Sequence, residues 1–240
     1  MTDDGPMPLP AAVEGRAPAT GRLEPALRWL ASCQGAWPPR APGAAQRVDV
    51  PAATTGSVAS GAARADAAVD AGADLLVVSG SGDQALGVLV AAALLDLEPV
   101  RAVGTTPVPG WTELVVAVRD GLPRARVHRT DPATLVRVVQ AGAVAELAGL
   151  LARAAQRRTP VLLDGSATTA AGALVAHRLH PGAAAWWLAG QAPPNPAARA
   201  AHADTGLVPL LDLGLSGPQG VDLAADVLER AVDLLGPASA

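Results

Sequence analysis

The chain has 240 residues, 50% of them apolar and 2% aromatic, so it can build one α/β domain whose core consists of Ala, Val and Leu. A formal net charge of −4 excludes the generally basic surface that is typical of nucleic-acid-binding proteins. The first residues lack the basic start and apolar stretch of a signal peptide, and no run of about 18 uncharged apolar residues follows. We therefore expect a cytoplasmic protein without a membrane partner.

The two ends of the sequence are predicted to lie outside the folded domain. Residues 1–20 are rich in Pro, Ala and Gly, which is typical of a disordered tail. A short tail is also expected at residues 237–240. Residues 21–236 are therefore predicted to form a single α/β domain.

The first predicted element of this domain is an amphipathic helix. Leucines at helical spacing between Arg22 and Gln34, followed by Gly35, predict the helix and its end. The next segment, 36–58, contains several prolines and glycines. It is predicted to be an extended connector with at most a short strand at Val48–Val50.

Strands and helices are predicted to alternate through the rest of the chain. Strand patterns occur at Asp74–Gly80, Val100–Val103, Pro160–Leu163, Ala184–Leu188 and Val208–Leu213. Helical patterns occur at Ala59–Ala71, Ala85–Leu95, Trp111–Arg119, Asp131–Ala155 (which Gly142 could interrupt), Thr169–Arg178 and Asp222–Leu235. This alternation predicts a three-layer, mostly parallel Rossmann-like α/β sheet flanked by helices, with a small helical part from the first helix and the C-terminal region. On one predicted strand, Trp186 and Trp187 should point to opposite faces.

Two predicted strand–loop–helix junctions carry the residues of most chemical interest, Gly80–Gln84 and Asp164–Thr169. Their small residues and hydroxyls present backbone N–H groups at the start of a helix, where the helix dipole favours a phosphate or another anion. The carboxyl ends of parallel strands meet at one edge of a sheet, so both junctions are expected to face one ligand. The sequence thus predicts an anion site at this edge.

Both junctions also have simpler interpretations. Gly80-Ser81-Gly82 loosely matches a dinucleotide-binding pattern, but the acidic residue Glu98 precedes the next predicted strand instead of ending it, so a plain tight turn explains the glycines better. Asp164 and Asp212 come at strand ends, where a carboxylate either serves a site or caps the following helix. The pattern alone leaves both alternatives open.

Two further groups of residues are assigned no chemistry. Cys33 is the single cysteine and lies among apolar residues in the first predicted helix, so a buried inert thiol is expected. His177 and His180 are close enough on a helix to share a metal ion, but no further ligands lie near them in the sequence. No metal site is therefore predicted.

The order of these motifs resembles the nicotinate-nucleotide:dimethylbenzimidazole phosphoribosyltransferase family, which makes the lower-ligand nucleotide of cobalamin. The chain looks like a shortened and divergent member, and from about Gly56 to Leu235 the correspondence is nearly collinear. The matching segments are Gly21–Leu23 with the helix to Gly35, Ala71–Leu76 running into Gly80–Asp83, Asp131-Pro132 with its long helix, Pro160–Gly165 with Thr168–Ala171, and Gly206–Leu215.

The resemblance implies transfer of the phosphoribosyl group of nicotinate mononucleotide to 5,6-dimethylbenzimidazole or a related azole, giving α-ribazole phosphate and nicotinate. Such a site needs a phosphate cradle, stabilisation of an oxocarbenium-like ribose and a carboxylate that takes the azole proton. The resemblance places substrate and phosphate binding at Gly80, Ser81, Gly82, Asp83, Gln84, Asp164, Gly165, Thr168 and Thr169. It implies no cofactor, and it implies a homodimer whose contact the first helix or the Trp186–Trp187 strand could supply.

Several positions depart from the pattern of the family. The catalytic glutamate of the family matches Gln219, whose amide cannot take a proton near neutral pH. An acidic residue of the family matches Val78, its asparagine matches Asp83, and Arg119 is a loosely placed substitute for its lysine. The segment between Arg40 and Thr54 is also far shorter than in the family, where it carries part of the azole pocket.

These departures leave three hypotheses open. The chain is an enzyme of the family type, acting on a changed acceptor or using Asp222 or Asp212 as the base. Alternatively, it is a catalytically impaired homologue that binds a nucleotide or an azole, or that partners a complete paralogue. The third hypothesis is a structural or otherwise unrelated α/β binding protein.

Overall fold

The computed structural model describes residues 5–7, 21–52, 55–105, 109–215 and 217–235. The predicted tails at 1–20 and 237–240 lie outside these ranges, except for residues 5–7. Within the described residues, five parallel strands form one sheet and helices cover both of its faces. The predicted three-layer α/β class is therefore confirmed.

The strands lie in the sheet in the order in which they occur in the chain. They are β1 Ala45–Pro51, β2 Leu75–Ser81, β3 Val161–Leu163, β4 Trp187–Gln191 and β5 Pro209–Leu211. Val78 of β2 lies opposite Leu163 of β3, and Leu163 lies opposite Ala189 of β4. The carboxyl ends of these strands therefore meet at one edge of the sheet, which we call the carboxyl edge.

The helices of the described residues fall into two groups by the face of the sheet that they cover. They are α1 Glu24–Gln34, α2 Val58–Asp70, α3 Gln84–Leu94, α4 Pro99–Val103, α5 Trp111–Arg126, α6 Pro132–Val138, α7 Gly142–Gln156, α8 Ala167–Leu179, α9 Pro196–Thr205 and α10 Pro218–Asp233. Val78 and Leu163 point into the core formed with α2 to α9, whereas Val77, Leu162 and Leu188 pack against α1 and α10. The helical part predicted from the first helix and the C-terminal region is therefore the layer, formed by α1 and α10, that covers the second face of the sheet.

Two segments fold differently from their local sequence pattern. Val100–Val103, predicted as a strand, belongs to α4, because Pro99 starts a helix and Ala102 and Val103 are buried in the helical core. The predicted connector 36–58 contains the seven-residue strand β1, in which buried Val48 and Val50 alternate with exposed residues. Pairing along the whole of β2 extends this strand well beyond the three residues that the sequence suggested.

Two predicted helices between residues 111 and 156 also differ in length from those in the structure. α5 continues to Arg126 and contains Pro123, whereas the sequence predicted an end at Arg119. The single long helix predicted from Asp131 is two helices, α6 and α7, because Gln140 between them has a left-handed backbone with φ 57°. The interruption thus comes just before Gly142.

The two consecutive tryptophans do not point to opposite faces of the sheet. Trp186 ends a 3-10 turn at Pro181–Trp186, and β4 begins only at Trp187. Both indoles are buried in the core beneath the α2 to α9 layer. The Trp187 indole N–H donates a hydrogen bond to the Leu151 carbonyl at 3.3 Å. Because both side chains are buried within one chain, they are not available for the dimer contact that the resemblance suggested.

The contact between α2 and α7 depends on two glycines. A Cβ atom at Gly149 would lie 1.9 Å from the Val58 carbonyl oxygen, and one at Gly61 would lie 1.8 Å from the Glu146 carbonyl oxygen. Both distances are far below van der Waals contact, so the two backbones can approach this closely only because these positions lack side chains. Arg64 of α2 also donates a hydrogen bond to the buried Glu146 carboxylate of α7 at 2.6 Å.

We expect Gly149→Ala to lower the free energy of unfolding by about 3 kcal/mol, near the upper end of overpacking effects, because α2 must move away from α7. Urea unfolding followed by circular dichroism measures the change. Gly182→Ala is the matched control, since no described residue beyond its two chain neighbours has a heavy atom within 4 Å of the added methyl group. Its effect should stay within about 0.5 kcal/mol. Equal unfolding midpoints for the two variants would contradict the close contact.

Candidate functional site at the carboxyl edge

The two junctions predicted to bind an anion lie side by side. The Asp164 backbone N–H donates to the Val78 carbonyl at 3.1 Å, which joins the turn after β3 to the end of β2. Beyond these turns, a Cβ atom at Gly87 of α3 would lie 2.7 Å from the Ala167 carbonyl carbon of α8. The first part of α3 and the start of α8 are therefore in backbone contact.

Asp164 is buried in the turn after β3 and forms hydrogen bonds within it. Its Oδ1 accepts hydrogen bonds from the Ser166 backbone N–H at 3.1 Å and from the Ser166 hydroxyl at 2.9 Å, and Oδ2 has no hydrogen-bond partner among the described residues. Burial raises the pKa of Asp164, while the hydroxyls of Thr169 and Ser166 partly oppose the rise. The carboxyl group is fully buried, so it shapes the turn and does not reach a ligand directly.

Gly80 and Gly82 make room for threonine side chains. A Cβ atom at Gly80 would lie 2.7 Å from Thr169 Oγ1, and one at Gly82 would lie 2.6 Å from Thr168 Cγ2. The first turn of α8 therefore occupies the space beside these glycines. Packing alone requires both of them, whatever ligand the site binds.

The polar side chains of Ser81 and Asp83, beside these glycines, form hydrogen bonds within the protein. The exposed Ser81 hydroxyl donates to the Val50 carbonyl of β1 at 3.5 Å. Asp83 caps α3, because its Oδ1 accepts a hydrogen bond from the Ala85 backbone N–H at 2.8 Å. The Asp83 carboxylate is therefore turned towards the first turn of its own helix.

The hydroxyl of Thr168 has no hydrogen-bond partner in the part of the chain that the structure describes, although the residue is only 1% exposed. Thr168 borders a small cavity of about 30 Å³ that Asp83, Gln140 and Ala143 also line. A cavity of this volume can hold about one water molecule.

A larger cleft of about 480 Å³ opens at the carboxyl edge between the starts of three helices. Gln84 comes from α3, Gly165–Ala167 from the start of α8, and Asn195–Pro196 from the start of α9. The opposite wall consists of Val103–Thr105 and Leu114. Gln84 and Gly165 are thus the predicted site residues that line the cleft, with Asp164, Thr168 and Thr169 buried beneath it.

Arg199 supplies the positive charge of this cleft. It lies in the first turn of α9, and its Nε donates to the Pro193 carbonyl at 2.6 Å, which fixes the guanidinium. Within the described ranges its other N–H groups make no hydrogen bond or ion pair. They are therefore free to bind an anion.

The sequence-based interpretation missed Arg199 because it predicted no helix at 196–205. The signal was present, since Asn195 caps this helix by accepting hydrogen bonds from Ala197 and Ala198, and proline follows at the first helical position. Arg119, considered as the substitute for the lysine of the family, does not line the cleft. It is exposed on α5 and donates to the neighbouring Asp120 at 2.8 Å.

A buried glutamine connects this cleft to the start of α10. Gln191, at the end of β4, donates to the Gly220 carbonyl at 3.1 Å and accepts from the Leu213 backbone N–H at 3.3 Å. A Cβ atom at Gly165 would lie 3.2 Å from the Leu215 carbonyl oxygen, so the turn after β3 touches the loop before α10. The exposed Gln219 therefore lies at the start of a helix next to the cleft.

The two carboxylates considered as alternative bases differ in their surroundings. Asp222 forms an ion pair with Arg47 of β1. Asp212 is exposed after β5 and makes no ion pair with any described residue. Neither side chain lines the cleft of Arg199.

Other ionisable groups in the described residues do not form a second centre. Cys33 is only partly buried, unlike the fully buried thiol that the sequence predicted, but desolvation still raises its pKa to about 12, which keeps the thiol protonated. Burial lowers the pKa of His202 to about 4. Among the described residues, no three His, Cys, Asp or Glu side chains cluster as metal ligands. No helix in this part of the chain has the length and apolar character needed to cross a bilayer.

Known phosphoribosyltransferases have sequences similar to this chain. The model of the phosphoribosyltransferase family matches residues 51–238. Over 189 residues, the chain is 45% identical to the nicotinate-nucleotide–dimethylbenzimidazole phosphoribosyltransferase of Mycobacterium avium strain 104 and 44% identical to that of Mycobacterium tuberculosis. The chain belongs to the nicotinate-nucleotide:dimethylbenzimidazole phosphoribosyltransferase family.

The match covers unequal parts of the proteins. It includes 76% of this chain but only 54% and 52% of the two mycobacterial phosphoribosyltransferases, so the chain spans about half the length of these relatives. Among solved structures, CobT from Thermus thermophilus has a TM-score of 0.72 at 22% identity, covering 99% of this chain and 95% of that chain. At this identity the similarity shows the fold of the family.

We expect the stability difference between the native protein and Asp164→Asn to depend on pH. The raised pKa of Asp164 means that the folded protein keeps this proton at pH values where the unfolded chain has lost it. The native protein should therefore lose stability relative to the variant as pH rises above about 4, the ordinary pKa of aspartate, until Asp164 ionises in the folded state.

Urea unfolding of both proteins at several pH values between about 4 and 8 measures this difference. Asp226→Asn, at an exposed position on α10, is the control and should follow the pH dependence of the native protein. A stability difference that stays constant over the whole pH range would contradict the raised pKa of Asp164.

Proposed function

We propose that the chain binds nicotinate mononucleotide in the cleft at the carboxyl edge and transfers its phosphoribosyl group to 5,6-dimethylbenzimidazole or a related azole. The products would be α-ribazole phosphate and nicotinate, as in cobalamin biosynthesis. The observation that carries this proposal is Arg199, whose free N–H groups share a cleft of about 480 Å³ with the starts of α3, α8 and α9. A cleft of this size is typical of a small-molecule site.

The 5′-phosphate is the part of the donor that fits this cleft best. A phosphate gains strong charge-assisted hydrogen bonds from a guanidinium, and helix N-termini add backbone N–H groups and a favourable dipole. Arg199 at α9 and the turn Gly165–Ala167 at α8 line the same space. We place the phosphate between them.

The ribose then extends towards the start of α10, which adjoins the cleft through Gly165. When the C1′–N bond breaks, its electron pair neutralises the pyridinium nitrogen of nicotinate, so the leaving group needs no acid. The remaining tasks are to stabilise positive charge on the ribose and to remove the azole proton. Gln219 can orient the azole through its amide, but it cannot take the proton.

The second candidate function is binding of the nucleotide without turnover, alone or beside a complete paralogue. The amide at Gln219 favours it, because general-base catalysis commonly contributes about 10²- to 10⁴-fold to a rate. Release of nicotinate from nicotinate mononucleotide in the presence of an azole distinguishes the two functions. We further propose a cytoplasmic homodimer, in which the partly exposed α1 remains available for a contact.

Arg199→Gln should weaken binding of nicotinate mononucleotide by about 10- to 100-fold, the effect of losing a hydrogen bond to a charged group. Titration calorimetry measures the affinity. Binding of nicotinate riboside, which lacks the phosphate, should be unaffected. Arg137→Gln removes the same charge from an exposed position on α6 and serves as the control. Absence of any binding by the native protein at millimolar concentration would exclude both candidate functions.

Gln219→Glu should raise the rate of nicotinate release, because it places a carboxylate at the start of α10, where the azole is expected. The measurement is chromatographic detection of nicotinate after incubation with nicotinate mononucleotide and dimethylbenzimidazole. Gln46→Glu, on the exposed start of β1, adds the same charge elsewhere and should change nothing. Equally negligible rates for native protein and Gln219→Glu, with binding retained, would favour the binding function.

A further inference from the structure

Asp49 is an exposed carboxylate near the carboxyl end of β1. Val48 and Val50 of this strand point into the core beneath α2 to α9, so Arg47 and Asp49 lie on the opposite face, which carries α10. Arg47 pairs with Asp222, which places the start of α10 over this face of the sheet. Asp49 is therefore on the same side of the sheet as the helix that bears Gln219.

Asp49 on β1 and Gln219 on α10 lie at the same end of this face, the end at the carboxyl edge. Asp49 lies two residues beyond Arg47, about 7 Å nearer the carboxyl edge. α10 begins at that edge, where the Gly220 carbonyl accepts a hydrogen bond from Gln191, and Gln219 lies three residues, about 4.5 Å, nearer its start than Asp222. Helix positions three apart share a face, so Gln219 lies on the side of α10 that Asp222 turns towards β1.

Ser79 holds the Asp49 carboxylate in place. Ser79 lies directly opposite Asp49 in the pairing of β1 and β2, it is fully buried, and its hydroxyl donates to Asp49 Oδ1. Arg64 fixes the backbone at the same point by donating to the Asp49 carbonyl at 2.8 Å. The described residues provide no partner for Asp49 Oδ2, which is therefore free to accept a proton.

The charges around Asp49 leave this carboxylate available. Arg47, on the same face of β1, is paired with Asp222. Arg64, which reaches β1 from α2, is paired with Glu146 of α7. Each neighbouring guanidinium thus has another carboxylate as its partner, and Asp49 forms no ion pair with the described residues.

We propose that Asp49 takes the azole proton in place of the carboxylate that Gln219 lacks, an inference that rests on the proposed function. One azole nitrogen attacks C1′ of nicotinate mononucleotide and forms the new C–N bond. The bond from C1′ to nicotinate breaks, and its electron pair passes to the pyridine nitrogen. The proton on the other azole nitrogen moves to Asp49 Oδ2, while the Gln219 amide orients the ring and Ser79 positions the carboxylate.

The test uses the full chain, nicotinate mononucleotide and two azoles, with nicotinate release as the signal. Asp49→Asn keeps the shape of the side chain and an oxygen that accepts from Ser79. It should lower kcat with dimethylbenzimidazole about 100-fold, as expected for loss of a general base, without changing KM for the nucleotide. The loss should shrink with benzotriazole, whose N–H is more acidic and needs less help from a base. Gln219→Glu added to Asp49→Asn should restore much of the rate.

The possible results separate this inference from the proposed function. Asp226→Asn, an exposed carboxylate further along α10, is the control and should leave all rates unchanged. If the native protein turns over and Asp49→Asn has an unchanged kcat, or loses the same factor with both azoles, the role of Asp49 is overturned and the proposed function stands. If the native protein releases no nicotinate with either azole, both are overturned.

Discussion

The consecutive order of the parallel strands is the constraint on which the rest of the structure depends. Because right-handed crossovers between successive strands all pass over one face, β1 to β5 acquire α2 to α9 on that face and nothing on the other. The second face buries Val77, Leu162 and Leu188 only because α1 and α10, from the two ends of the domain, return to cover it. The same return places the start of α10 at the carboxyl edge, beside the turn after β3.

A core of alanine, glycine and threonine determines the shape of the site. Small residues let helices approach until their backbones touch, as Gly87 of α3 does at Ala167 of α8. Thr168 and Thr169 fill the space beside Gly80 and Gly82. The space for a ligand therefore lies further out, in the cleft where α9 contributes Arg199. Rigid backbone forms one side of this cleft, which favours precise positioning of a substrate.

The sequence predicted the elements whose local pattern agrees with their environment, and it failed where tertiary contacts override that pattern. The buried strand at Val161–Leu163 and the helices that follow both junctions agree with the predictions, because local pattern and environment coincide there. Val100–Val103 failed because burial in a helical layer overrode a β-branched pattern. In the site, the sequence pattern could not show that Gly80 and Gly82 pack against Thr169 and Thr168. Arg199 was missed because no helix was predicted at α9. Asp49 lies in the short strand predicted at Val48–Val50, but the sequence did not show that this strand pairs with β2 and places Asp49 opposite Ser79.

Binding the phosphate of the donor and removing the proton of the acceptor require different kinds of residue. Binding a phosphate requires backbone N–H groups and one guanidinium within reach, so Arg199 on α9 can serve where the matching lysine is absent. Removing a proton requires a group of suitable basicity at one atom of the acceptor, and an amide at Gln219 cannot be exchanged for a carboxylate without loss. An amide at Gln219 therefore affects proton removal in the proposed reaction more than donor binding. Whether turnover accompanies binding then depends on a carboxylate elsewhere at the same edge, and Asp49 of β1, which accepts a hydrogen bond from Ser79, is the one that we propose.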